Sequence, residues 1–349
     1  MYRIHLLPAE YGDAIVVEYG ETQPPKRILI DAGTGTNVSY AAVRDRIAEI
    51  AKGDGVFELL VVTHIDLDHI GGVLPLLDEA KAMGLTFKEV WFNGYEHLTD
   101  ILGAKQGEKL SSRIVTGHYP WNEAFDHGHA AVVPDSGPLP IIDVSGMKIT
   151  LLSPKREQLE KLEKVWKDTI EAAGLQPGVG ATMAPEEIDD LLGDEAIDVA
   201  ALAKSKFKTD TTEPNGSSIA FVAEHDGKSV LFGADAFPGV LAESLLRMPE
   251  KERQRISVFK LPHHGSRKNL SVDLMKLLDC ETFLISTNGK RFSHPNRESI
   301  ARVIHRGGKP RLVFNYRSEF NECWDDKDLM HEHGYKVEYG EDGEITVEV

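Results

Sequence analysis

Cysteine is almost missing from this chain: Cys280 and Cys323 are the only two among 349 residues. So few thiols exclude a disulfide-stapled scaffold. Long apolar runs are missing as well. Stretches such as 59–62 and 283–285 fall far short of the roughly 20 residues that a membrane span requires. The N-terminal stretch, MYRIHLLPAEYGDAIVVEYG, has one Arg followed by alternating strand-like residues and lacks the apolar block of a signal peptide. A cytoplasmic protein with no membrane partner is expected.

Positive charge is scarce, with 39 Lys and Arg against 56 Asp and Glu and a formal net charge of −17. That excludes a basic groove spread over the whole surface and argues against sequence-blind, salt-driven binding of nucleic acid. A locally positive site remains open, above all one containing divalent cations, which a residue count omits. Elsewhere the charge reads as a solvated acidic surface. The remaining composition, 41% hydrophobic and 27% charged, is ordinary for a globular chain and excludes disorder, collagen or coiled coil as the dominant state.

Apolar alternation bounded by Gly, Pro and Asp predicts strands over residues 2–7, 14–19 and 27–30. Helical spacing of Ala41, Val43, Ile47 and Ile50 predicts a helix over 38–51, and the apolar run 57–62 predicts a strand buried on both faces. The second half repeats this rhythm. Strands are expected at 147–152, 218–223, 229–232, 257–261, 282–286, 311–315, 336–339 and 344–349, and helices at 236–247, 271–278 and 297–305. Strand, helix, strand in this order argues for a layered α/β fold. Two stretches interrupt it: a loop-rich one at about 95–135 and a helical one at about 154–214. The latter carries an amphipathic helix through Leu159, Leu162, Val165, Trp166 and Ile170, then an acidic helix near 188–192. Neither shift in composition marks a separate domain, so one domain over 1–349 with two insertions is expected. The 154–214 insertion is a helical hairpin packed on one face, or else a lid or a docking surface for a protein partner.

The segment that carries chemistry is Thr63-His64-Ile65-Asp66-Leu67-Asp68-His69-Ile70-Gly71-Gly72, directly after the buried strand. His64 and Asp66 alternate in an extended stretch and can reach one ion; Asp68 and His69 sit where the chain turns into a helix and can reach a second. Imidazole with carboxylate suits Zn, Mn or Fe. Helix capping accounts for one Asp in such a place. It does not account for two His and two Asp followed by a Gly pair.

With these residues the chain resembles the metallo-β-lactamase-fold hydrolases, whose hallmark here is HxHxDH, with Asp66 in place of the second His. The variant HxDxDHxGG is similar to the metallo-β-lactamase domain of ComEC-type competence (DNA-uptake) proteins and to phosphorylcholine esterases. The Gly12-Asp13-Ala14 turn and the Ile28-Leu29-Ile30-Asp31-Ala32-Gly33 strand end resemble the first motif. Phe232-Gly233-Ala234-Asp235-Ala236 is similar to the Gly-Asp motif, and Pro262-His263-His264-Gly265-Ser266 to a segment distinctive of the competence branch. The resemblance implies a four-layer αββα fold, two mixed sheets between helices. It also implies two divalent metal ions, Zn or Mn, held by His64, Asp66, Asp68, His69, Asp235 and His263, with Asp235 bridging and Asp31 structural.

Two departures stand out. The third motif, normally a His before the bridging Asp, falls on Glu213-Pro214-Asn215-Gly216-Ser217-Ser218, as the competence branch also tends to have Asn and Ser there. The first metal is left short of a ligand that Asn215, a water or a phosphate oxygen would replace. An Ala also separates Gly233 from Asp235. His294, in Phe292-Ser293-His294-Pro295-Asn296, resembles the branch's GHPH segment and is either a proton donor or phosphate contact, or part of a helix-entry loop. His118, His127 and His129 are expected to be solvated or substrate-facing, and His331 and His333 to lie on the surface.

Paired ions make a nucleophile from water at neutral pH and act on carbonyl and phosphoryl centres alike. Three features favour phosphorus. His263 is expected as ligand, coming first after its strand, with His264 as general acid for an alkoxide leaving group. Ser266, Arg267 and Lys268 follow, while Lys290 and Arg291 precede His294, gathering positive charge. Asn215, Ser217 and their neighbours offer neutral donors opposite. The expected catalytic residues are therefore Asp68, His264 and His294, and the substrate-binding ones Asn215, Ser217, Ser266, Arg267 and Lys268. The expected activity is that of a phosphodiesterase or nuclease using a metal-bridging hydroxide on a short or single-stranded, anionic, phosphate-containing substrate. The alternatives are a hydrolase of lactones or thioesters and a metal-binding interaction subunit of a larger complex.

Overall fold

The computed structural model describes residues 1–94, 105–126, 129–172, 197–249, 253–306 and 308–349. The acidic helix expected near 188–192, and His127, fall outside the described residues. Two large mixed sheets dominate the described ones. The first runs in the order Ile345–Glu348, Tyr2–Leu6, Ile15–Tyr19, Lys26–Ile30, Leu59–Val61, Val90–Trp91. It is antiparallel up to Lys26–Ile30 and parallel from there on. The second runs Lys336–Tyr339, Arg311–Phe314, Thr282–Ile285, Val258–Lys260, Lys228–Phe232, Ala220–His225, Met147–Ser153, Ile141–Val144. Its first five strands are parallel and its last three pair antiparallel.

Alternation decides which side each residue serves. In the strand Leu59–Val61 and its continuation, Leu59 and Val61 enter the core between the sheets, whereas Leu60 and Val62 enter a second core under helices Asn37–Ile50 and Val73–Met83. On the far side of the second sheet, Leu241 and Leu245 of helix Pro238–Leu245 and Ile300 and Ile304 of helix Arg297–His305 join the first core. The layers are therefore helix, sheet, sheet, helix, the metallo-β-lactamase arrangement.

The run 57–62 is not one strand. Val56–Phe57 pairs with Thr86–Phe87 in a separate two-stranded sheet, and Leu59–Val61 alone joins the large one. The break falls at Glu58, which turns aside to accept both hydrogen bonds of the Lys88 ammonium at 2.8 Å. The helix expected over 271–278 is shorter, Val272–Lys276, because Leu278–Asp279 leaves it to pair with Gln254–Arg255. In the 154–214 insertion the helix Arg156–Ala172 buries Leu159 and Leu162.

Parallel strands end on a common edge, and their carboxyl ends are where α/β sheets place chemistry. Asp31 follows Lys26–Ile30, Thr63 and His64 follow Leu59–Val61, Asp235 follows Lys228–Phe232, and His263 and His264 follow Val258–Lys260. The two sheets meet there through the Ile219 N–H, which donates to the Thr63 carbonyl at 2.9 Å.

Candidate metal centre

Asp31 organises the loop from below. It accepts from the Thr63 N–H at 2.8 Å, from the Thr63 hydroxyl at 2.7 Å and from the His69 Nδ1–H at 2.8 Å. Asp66 stands at the N-cap of the short helix Leu67–Ile70, yet its carboxylate makes no capping bond. Capping therefore does not explain why Asp is there. The loop sits against its neighbours backbone to backbone: a Cβ on Gly12 would lie 1.9 Å from the Asp68 carbonyl, and one on Gly72 would lie 1.9 Å from that of Ala32.

The second nitrogen of each imidazole sets what the first can do. The proton of the Thr63 hydroxyl is committed to Asp31, so the oxygen accepts from His64 Nδ1 at 3.0 Å. His69 Nδ1 donates to Asp31, and His264 Nδ1 donates to the Ser286 carbonyl at 2.8 Å. As neutral rings all three thus keep a lone pair on Nε2, and all three Nε2 atoms are buried without a hydrogen-bond partner. What they face are carboxylate oxygens. His64 Nε2 lies 3.6 Å from Asp66 and 3.8 Å from Asp235 Oδ2. His69 Nε2 lies 3.5 Å from Asp235 Oδ1, His264 Nε2 lies 3.5 Å from Asp68, and His263 Nε2 lies 3.7 Å from Asp235 Oδ2.

Electron pairs facing electron pairs in a buried space are unfavourable unless cations lie between them. Two donors bound tetrahedrally to one zinc at about 2.0–2.1 Å stand about 3.4 Å apart, close to these spacings. The residues fit divalent ions in two compartments that share Asp235. One has His64, Asp66 and His263 on the Oδ2 side; the other has His69 on the Oδ1 side, with Asp68 and His264. One donor atom each from Asp13, His69, Asp235 and His264 also falls within 4.8 Å of the others. Asp13 belongs behind the ring, however. Its Oδ2 accepts from the buried Lys260 ammonium at 2.7 Å, and its Oδ1 is 3.6 Å from His264 Nδ1, the protonated nitrogen.

The electrostatics agree. Burial presses the His69 imidazole down, but Asp235 and Asp31 pull it well above its ordinary value. His264 is raised in the same way by Asp13 and Asp68 against its burial. Burial alone would raise the Asp68 carboxyl, yet His264 and His69 hold it down at about 2. Asp235 is likewise held well below the carboxylate range, against its burial, by His263, His69 and His64. Where cations do not balance these carboxylates, protons on the imidazoles must.

The other expected residues divide. His294 is buried, its ring 5.2 Å edge-on from that of His263, and neither of its nitrogens has a hydrogen-bond partner. Burial, with His263 and His264 beside it, holds it well below the ordinary imidazole value, a ring kept neutral. Ser217 donates its hydroxyl proton to the Pro214 carbonyl at 2.6 Å, and Ser266 accepts from the Lys268 N–H at 3.2 Å, so both hydroxyls are engaged within their own turns. Arg267 is tied to Glu298 at 3.2 Å, and Lys268 is half-buried. Asn215 donates to Asp210 at 2.6 Å. On the rim, the Arg291 guanidinium lies 5.2 Å from the Tyr11 ring and 5.1 Å from that of Phe292. His118, His129 and His331 are exposed and His333 is half-buried, all far along the chain from the strand ends just described. Sequence reasoning missed Asp210, Asn269 and Lys260, and gave Asp13 no role of its own. Along the sequence none of the four belongs to a run of metal-ligating residues like that at 64–69.

Residues 8–289 match the family model described as the metallo-beta-lactamase superfamily. None of the curated proteins matches the chain. Among solved structures it is similar to the metallo-beta-lactamase fold protein YhfI from Bacillus subtilis, at 10% identity over 99% of each chain with a TM-score of 0.37. It is also similar to Zn(2+)-bound PqqB from Methylobacterium extorquens, at 12% identity over 99% of this chain and 100% of that one, TM-score 0.37. A new diphosphatase from the PhnP family matches at 11% identity over 100% of this chain and 98% of its own, TM-score 0.38. With the family model spanning well over half of its residues and the strand ends carrying the ligand types, the chain belongs to the metallo-beta-lactamase superfamily.

Proposed function

We propose that the protein is a binuclear metal-dependent hydrolase of phosphodiesters, a nuclease or related phosphodiesterase close to the competence branch of its superfamily. The observation that carries this reading is Asp235, a buried carboxylate with His69 at one oxygen and His64 and His263 at the other. His64, Asp66 and His263 would hold one ion, Asp68, His69 and His264 the other, and Asp235 both. Zinc or manganese there would acidify water and polarise a phosphoryl oxygen. In this reading His264 is a ligand and not the proton donor, since its Nδ1 proton is committed to Ser286 and its Nε2 faces Asp68. The residue left to contact substrate from inside is His294, which as a neutral ring donates one hydrogen bond and accepts another.

Arg291, spread between Tyr11 and Phe292 and bonded to the Tyr11 hydroxyl at 3.0 Å, supplies an oriented positive group for an anionic substrate. Lys268 adds a second, while Arg267 is partly neutralised by Glu298. With a net charge of −17, a short or single-stranded substrate suits the molecule better than long duplex. Leu67, 41% exposed between Asp66 and Asp68, is the observation in favour of an apolar lactone or thioester instead. Among the described residues no helix is long and apolar enough to cross a membrane. We place the protein in the cytoplasm as one domain, with the 154–214 insertion as the surface for any protein partner.

Bis-p-nitrophenyl phosphate, labelled DNA and RNA, and a panel of lactones and thioesters, each with Zn and with Mn, test the reading. Phosphodiester turnover is expected, and Asp68→Ala or His69→Ala should lower kcat/KM by at least about 100-fold. Turnover that survives either substitution refutes it. Hydrolysis confined to lactones or thioesters supports the carbonyl reading, and no metal-dependent hydrolysis with a co-purifying protein supports an interaction subunit.

A further inference from the structure

The position where the superfamily's third motif would place a His holds Asn215, in the helical turn Glu213–Gly216. Its side chain does not stand alone. The Asn215 amide donates to Asp210 Oδ2 at 2.6 Å and lies 3.2 Å from His263 Nδ1. Asp210 is buried and collects donors: the Thr212 N–H and hydroxyl on Oδ1 at 3.0 and 2.9 Å, and the Asn269 amide on Oδ2 at 3.0 Å beside that of Asn215. Its own N–H donates to the Lys268 carbonyl at 3.1 Å, tying the end of the 154–214 insertion to the loop that carries both histidines.

The back of His263 faces this group. His263 Nδ1 is 3.1 Å from Asn269 Oδ1 and 3.4 Å from Asp210 Oδ2, a neutral and an anionic acceptor that together outweigh the Asn215 amide nitrogen at 3.2 Å and keep the proton on Nδ1. Nε2 is left as the electron-pair donor and points at Asp235 Oδ2, the same oxygen that His64 faces. Backbone conformation contributes. His263 and His264 both adopt left-handed φ, 45° and 52°, which sets their rings 75° apart with centroids separated by 6.0 Å. Such a conformation is strained for a non-glycine residue and persists only where the surroundings impose it.

We infer that His263 supplies to the first compartment the imidazole that the third motif lacks, and that Asp210, from the insertion, is the positioning residue that holds it there. The Pro262–Gly265 turn then serves both compartments, His263 with His64 and His264 with His69. Asn215 supports Asp210 through its amide N–H, while its own Oδ1 is buried without a hydrogen-bond partner. The inference rests on the binuclear reading above, and one titration separates the two.

Metal-free protein is titrated with Co²⁺ and the bound ion followed by its visible absorption, for wild type, His64→Ala, His69→Ala and Asp210→Ala. Wild type is expected to take two ions, with His64→Ala removing one step and His69→Ala the other. Asp210→Ala is expected to weaken the His64-dependent step by about 10- to 100-fold, the usual loss when a ligand's supporting carboxylate is removed, and to leave the His69-dependent step within about twofold. Should Asp210→Ala fail to fold by circular dichroism, Asp210→Asn carries the same test. It keeps the size and one acceptor oxygen, and is expected to weaken that step by about tenfold. Weakening of the His69-dependent step, equal weakening of both, or no weakening overturns the role of Asp210. A wild-type protein that takes fewer than two ions overturns the binuclear reading itself, before any variant is compared.

Discussion

At the scale of single residues, the centre depends on charges balanced far from water. Lys260 is 1% exposed and pairs with Asp13, and nothing in the sequence relates the two, which are separated by 247 positions. Lys260→Met would leave the Asp13 carboxylate buried without its cation, and a loss of about 3–5 kcal/mol in denaturant-induced unfolding is expected. Adding Asp13→Asn to that variant should restore part of the loss; a double variant as unstable as Lys260→Met would contradict the pairing. Asp31 allows a finer test, because it fixes the tautomer of His69. Asp31→Asn turns one acceptor into a donor, moves the His69 proton to Nε2 and should weaken metal binding by about 10- to 100-fold, read by competition with a chelator. This scale also shows how far the site was legible. His64, Asp66, Asp68 and His69 stand within six consecutive positions and declare themselves as ligand types at a strand end. Asp210, Asn269 and Lys260 act by bonding to a ligand and not by resembling one, and only folding brings them beside it.

At the scale of elements, the turns between strand and helix matter more than the strands. Strands at 14–19, 27–30, 147–152 and 229–232 were legible within a residue or so because alternation there records burial on one or both faces. The break at Glu58 was not, since an apolar run broken by one Glu looks the same whether it lies in one sheet or two. Nor were the left-handed turns, for neither Ala234 nor the His pair is a residue that asks for positive φ. Ala234 has φ 45°, and its carbonyl accepts from the His263 N–H at 2.8 Å, so this strained turn and the histidine turn are latched together. Glycine occupies that conformation without the Cβ penalty. Ala234→Gly is therefore expected to raise stability by about 0.5–1 kcal/mol with metal content unchanged, measured by urea unfolding and by metal analysis; a less stable variant would show that the Cβ packs favourably enough to outweigh the strain.

At the scale of the whole molecule, the distribution of charge outweighs its total. Asp13, Asp31, Asp68, Asp210 and Asp235 are all buried at one edge of the two sheets, where Lys260 and the imidazoles are the cations at hand. In the metal-free chain His69 and His264 are raised above the ordinary value of 6.5, so each binds its proton more tightly folded than unfolded. A group raised in this way contributes stability that is fully present below its unfolded pKa and is lost as pH rises through its folded one. Metal-free protein should accordingly become easier to unfold as pH rises above about 6.5 and through the raised folded values of these two rings. Ions take over the balancing of the same carboxylates and must displace those protons to bind, so metal affinity should rise over the same interval. The unfolding midpoints with saturating zinc and without metal should therefore diverge as pH increases, and calorimetry in two buffers of different ionisation heat should record protons released on binding. A metal-free midpoint that climbs through this window would mean that the imidazoles are already neutral in the folded chain. The carboxylates would then have to be balanced by something other than the protons that metal replaces.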